Sequence, residues 1–80
     1  MQEDVFHEVA DEFINLANDL SDDWALPFLS AAIMYAAARF NAFNFSSTDG
    51  NPDNREQAIR HYTEQYSKML RENMLEMVQA

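Results

Sequence analysis

The spacing of apolar residues divides the chain into three stretches of helical period, separated by two runs of turn formers. In the first, about residues 3–20, Phe6, Val9, Phe13, Leu16 and Leu20 alternate steps of three and four, the stripe of an amphipathic helix. The second, about 27–45, has two apolar faces: Leu29, Ile33, Ala36 and Phe40 on one, Ala31, Tyr35, Ala38 and Ala42 on the other. A helix apolar on two sides is expected to be central, with two neighbours, and its alanine-rich face admits another helix closely. The third, about 52–78, carries Ile59, Tyr62, Tyr66, Met69, Leu70, Met74 and Met77 as its stripe. On its outside Glu56, Arg60, Glu64, Lys68, Glu72 and Glu76 follow at four-residue steps, mostly alternating in sign. The pattern predicts an all-α protein: residues 1–80 as one compact three-helix domain with a central apolar helix.

The turns are legible too. Ser21-Asp22-Asp23-Trp24-Ala25-Leu26-Pro27 offers capping residues, then a proline whose fixed φ suits the first turn of a new helix. Ser46 to Asn54 concentrates turn formers around the only glycine, Gly50. It holds two helix starts: Asn51 capping before Pro52, or Asp53 with Glu56 as a capping box.

A chain of 80 residues buries only about 60–65% of the surface its unfolded form exposes, so the core is thin. With no cysteine, disulfides and thiolate metal sites are excluded as staples, and a reducing, cytoplasmic location is the natural expectation. Self-association remains as the staple, most simply as a homodimer through the second or third helix. The N-terminal Met1-Gln2-Glu3-Asp4 lacks the positive start of a secretory signal. The most apolar stretch, Phe28 to Ala38, is 11 residues long and is closed by Arg39, too short for a membrane span.

Charge changes the picture most. Fourteen acids against five bases give a net −9, which repels phosphate backbones and anionic lipid, so neither nucleic acid nor membrane is expected as a direct partner. Residues 1–23 hold eight acids and no Lys or Arg. Glu3, Asp4 and Glu8 sit where the helix dipole favours negative charge; Asp11, Glu12 and Asp19 do not, and Asp22 and Asp23 extend the acidic run. Arg39 is the only formal charge between Trp24 and Phe45, and a guanidinium there is expected to be partly desolvated and paired. Asp11, Glu12 and Asp19 are its expected partners; an anion or carboxylate on another molecule is the alternative. These five acids and Arg39 are the candidate interaction residues.

Recognisable chemistry is sparse. Asp49-x-Asn51-x-Asp53 opens like a calcium-binding EF-hand loop, but Asn54 stands where that loop needs glycine and Arg60 where it needs the bidentate glutamate. Glu3, His7 and Asp11 share a helix face, which a solvated surface explains; a di-metal bundle would need Glu-x-x-His on at least two helices, and Ala58 precedes His61 at that spacing. No metal, cofactor or catalytic residue is therefore assigned, and no enzyme is expected. The Tyr62, Tyr66, Met69, Met74 and Met77 set reads as core or dimer seam before it reads as an adaptable groove. Asn73, if buried in a seam, would fix register.

Three blocks, Phe13 to Asn18, Met34-Tyr35-Ala36-Ala37-Ala38-Arg39-Phe40-Asn41-Ala42-Phe43 and Glu64 to Leu70, resemble a family of short proteobacterial proteins, domain of unknown function 3144. The resemblance spans nearly the whole chain and implies a bacterial, cytoplasmic, stand-alone helical protein with no catalytic residues to transfer. The expected function is a non-enzymatic acidic module for a protein partner, itself basic. The alternatives are an acidic nucleic-acid mimic that occupies a basic binding site, and a small-ligand or metal-binding helical protein.

Overall fold

The computed structural model describes residues 2–78 and is an all-α, three-helix domain. Helix α1 is Gln2–Leu20, α2 is Leu26–Thr48 and α3 is Arg55–Val78, entered through a one-turn 3-10 helix, Pro52–Asn54. Among the described residues no strand is present. The expected helices are all found, and the differences lie at their ends.

Helix α2 starts at Leu26, with Ala25 rather than an acid at its cap position; the Ala25 carbonyl accepts the Leu29 N–H at 3.0 Å. It continues three residues beyond the expected stop at Phe45. The Thr48 hydroxyl donates back to the Asn44 carbonyl at 2.8 Å, and the Ser-Ser-Thr run is helical rather than a loop. The exit is then abrupt. Asp49 and Gly50 both donate their N–H to the Phe45 carbonyl at 2.9 Å, and Gly50 takes φ +70, the left-handed region that favours glycine. A Cβ at Gly50 would stand 3.1 Å from the Ser46 carbonyl oxygen.

Of the two helix starts in this loop, the Asn51 one is realised. Its side-chain oxygen accepts the Asp53 N–H at 3.0 Å, with Pro52 next in the chain. Asp49 closes the turn from the other side, accepting the Asn51 N–H at 3.0 Å through Oδ1 and the Asn54 amide at 2.9 Å through Oδ2. Asp49 and Asn51, two of the calcium-like residues, thus serve as turn and cap groups.

The chain divides into two units, Met1–Ala38 and Arg39–Ala80, with the boundary inside α2. In the first, Leu29 is the buried apolar residue, 6% exposed, and Ala10 and Ala17 are half-buried. Trp24 stacks on Phe28 with ring centroids 5.2 Å apart. In the second, Asn44 Nδ2 donates to Tyr62 Oη at 3.1 Å and ties α2 to α3, with Phe45, Ala58 and Tyr62 half-buried beside the bond.

The apolar stripes lie where their spacing puts them along the helices, but most of their side chains are exposed, from Leu20 at 39% to Phe13 at 68% on α1 and from Leu70 at 39% to Met77 at 73% on α3. Period tells which side of a helix is apolar; it does not tell what covers that side. Asn73 is exposed, and its amide donates to the Met69 carbonyl of its own helix at 2.8 Å.

Candidate functional site

The acidic surface belongs to the first unit. Residues 1–38 hold all eight acids of the N-terminal region and no Lys or Arg, whereas residues 39–80 hold six acids and five bases, so the two units carry formal charges of −8 and −1. Asp11, Glu12 and Asp19 are exposed on α1, and Asp22 and Asp23 are exposed on the turn that follows it.

The end of α1 is where these charges are least favourable locally. The carboxylates of Asp19, Asp22 and Asp23 crowd the negative end of the helix dipole, and the last turn holds no basic residue to offset them. The end carbonyls are instead capped by neutral donors: Ser21 N–H reaches the Ala17 oxygen at 3.0 Å and Ser21 Oγ the Asn18 oxygen at 2.6 Å. Leu20 accepts from both Asp23 and Trp24 N–H at 3.0 Å. The bonds of this turn come from backbone N–H groups and the Ser21 hydroxyl, and among the described residues none comes from the three carboxylates.

Arg39 is exposed, contrary to the desolvation expected of a lone charge in an apolar helix. A guanidinium on a long flexible stem reaches water past apolar neighbours without needing a partner. The burial argument for a partner at Arg39 therefore falls away, and its sequence position puts it in the second unit.

The second unit contains a feature the sequence reading missed, an open cleft of about 440 Å³ lined by Phe45, Thr48, Asp49, Asn54, His61 and Tyr62 among others. The signal was available: Asn41 and Asn44 stand between the aromatic residues Phe40, Phe43 and Phe45, and Asn44 meets Tyr62 at the cleft. Its chemistry is modest. Both Asp49 oxygens already accept hydrogen bonds from the turn, so this carboxylate is occupied in holding the loop. The other histidine, His7, is held on α1 by a 2.7 Å contact of Nδ1 with the Glu3 carbonyl, in which Nδ1 is the donor. Among the described residues no three His, Asp or Glu side chains converge as a metal would require, and no helix is long and apolar enough to cross a membrane.

Helical order, negative charge concentrated in the first unit and an open cleft in the second describe a small all-α domain. The chain belongs to the family described as protein of unknown function DUF3144, whose model matches residues 6–78. No curated protein and no solved structure matches it.

Proposed function

We propose that this protein is a non-enzymatic interaction module that presents the acidic face of its first unit to a basic protein partner in the cytoplasm. The observation that carries the reading is the set Asp19, Asp22 and Asp23 at the negative end of α1, on a unit of formal charge −8. Charges that work against their own helix and build nothing in the turn have a use outside the fold. Asp11 and Glu12 extend the same field along α1, and a summed potential of this size speeds encounter with a cationic surface. The exposed aromatic and aliphatic side chains of α1 supply apolar contact beside the charge.

Affinity capture from native cytosol, at low and at moderate salt, tests the proposal. The expected result is a basic protein retained at low salt and released as screening rises. Capture whose yield is indifferent to salt, or of acidic partners only, would overturn it.

A further inference from the structure

We infer that the exposed Trp24–Phe28 ring stack seats an arginine side chain of the basic partner, the guanidinium lying on the indole face while its N–H groups reach the carboxylates of Asp22 and Asp23. The inference rests on the acidic-face reading above and names the group by which that face reads its partner. The rings are the observation that carries it. Trp24 packs on Phe28 with centroids 5.2 Å apart and planes 24° from parallel, so the phenyl ring covers one face of the indole and leaves the other open. Trp24 is 52% and Phe28 58% exposed, which puts the only tryptophan of the chain at the surface instead of in a core. The pair is held from both sides. The Trp24 N–H donates at 3.0 Å to the Leu20 carbonyl at the end of α1, and Phe28 stands in the first turn of α2. A platform fixed before its ligand arrives loses little freedom on binding.

Charge says what covers these rings. No arginine or lysine of their own unit competes for them, since residues 1–38 hold eight acids and neither base. Asp22 and Asp23 immediately precede Trp24, and consecutive Cα atoms stand about 3.8 Å apart, so the exposed carboxylates and the indole form one small surface. Asp19 and the negative end of α1 add to the same field. Each element favours a cation: the ring quadrupole draws one to its face, that of tryptophan most strongly, and the carboxylates accept its hydrogen bonds. Shape then selects among cations. Two rings stacked nearly parallel offer a flat face, whereas a methylated ammonium calls for rings that enclose it. The ammonium of lysine is compact and strongly hydrated; a guanidinium is planar and weakly hydrated, and stacks on a ring with its fork turned to a carboxylate. The occupant is therefore an arginine on an exposed segment of the partner.

The single tryptophan makes the site its own reporter. The full-length protein is titrated at low salt with hexa-arginine and hexa-lysine peptides of equal charge, binding being read from the anisotropy of dye-labelled peptide and, with unlabelled peptide, from Trp24 emission. The arginine peptide is expected to bind about two- to fivefold more tightly, the worth of one cation–π contact at an exposed site, and to change the emission of Trp24. Trp24→Leu keeps every charge and is expected to bring the two peptides to equal affinity. Equal affinity for the parent, an arginine preference that survives Trp24→Leu, or Trp24 emission unmoved at saturation would overturn the ring platform and leave the acidic-face reading standing. Failure of both peptides to bind at low salt would overturn the two together. Should Trp24→Leu not fold, the two affinities of the parent and its emission still decide the outcome.

Discussion

Replacing Asp19, Asp22 and Asp23 together by asparagine separates what the fold needs from what the surface is for. The turn after α1 is built from backbone donors and the Ser21 hydroxyl, so asparagine leaves each of its hydrogen bonds in place. What changes is the charge at the negative end of the helix. An ion within a turn of a helix end is worth about 0.3–1 kcal/mol at low ionic strength. Three exposed carboxylates, partly screened by water and by one another, give about 1 kcal/mol in favour of the variant. For a domain of this size that raises the Tm by about 4–8 °C. Circular dichroism melts at one fixed protein concentration, in low salt and again near 1 M salt, measure it. The gain should shrink in high salt, where the Debye length falls to about 3 Å. Capture of the basic partner should fall together with the gain in stability. A variant that melts at or below the parent in low salt, or whose advantage survives high salt, would refute the account of these carboxylates as a local electrostatic cost.

Gly50→Ala should destabilise by about 1–2 kcal/mol, because alanine resists a φ of +70 and its Cβ would press on the Ser46 carbonyl, and Gly50→Asn should recover part of the loss; urea unfolding ranks the three. Asn51→Ala should cost about 1 kcal/mol through loss of the cap on Asp53 N–H, read in the same titration. Tyr62→Phe removes the acceptor of the Asn44 amide. Since both groups are accessible to water, a loss of at most about 1 kcal/mol is expected, with faster amide exchange around residues 41–48 as the more sensitive measurement.

The fold was largely legible because its signals are local. The three-and-four spacing of Phe6 to Leu20 and of Ile59 to Met77 depends only on helix period, and Gly50, Asn51 and Pro52 mark the turn by their own backbone preferences. The helix ends were less legible. The run Ser46 to Thr48 is helical although its residues favour turns, a competition between loop and helix that composition cannot decide. Burial was the least legible property of all. The spacing of Phe13, Tyr35 and Met69 identifies an apolar side, yet these side chains are exposed, since the covering surface is a matter of long-range assembly. Arg39 was misjudged for the same reason: an apolar sequence neighbourhood is not a dry one. The cleft beside Tyr62 depends on α2 and α3 meeting at Asn44, a pairing that spans eighteen positions of sequence.

The turn at Asp49-Gly50 has a consequence for the lifetime of the molecule. An aspartate followed by glycine is prone to succinimide formation: the glycine nitrogen attacks the aspartate side-chain carboxyl carbon, water is expelled, and hydrolysis of the ring gives aspartate or isoaspartate. Here the Gly50 N–H points to the Phe45 carbonyl, and both Asp49 oxygens are held by the turn. Nucleophile and electrophile are each restrained by the bonds that end α2. Chemical ageing at this site is therefore governed by how often the turn opens, which makes isoaspartate a slow covalent record of local unfolding between α2 and α3.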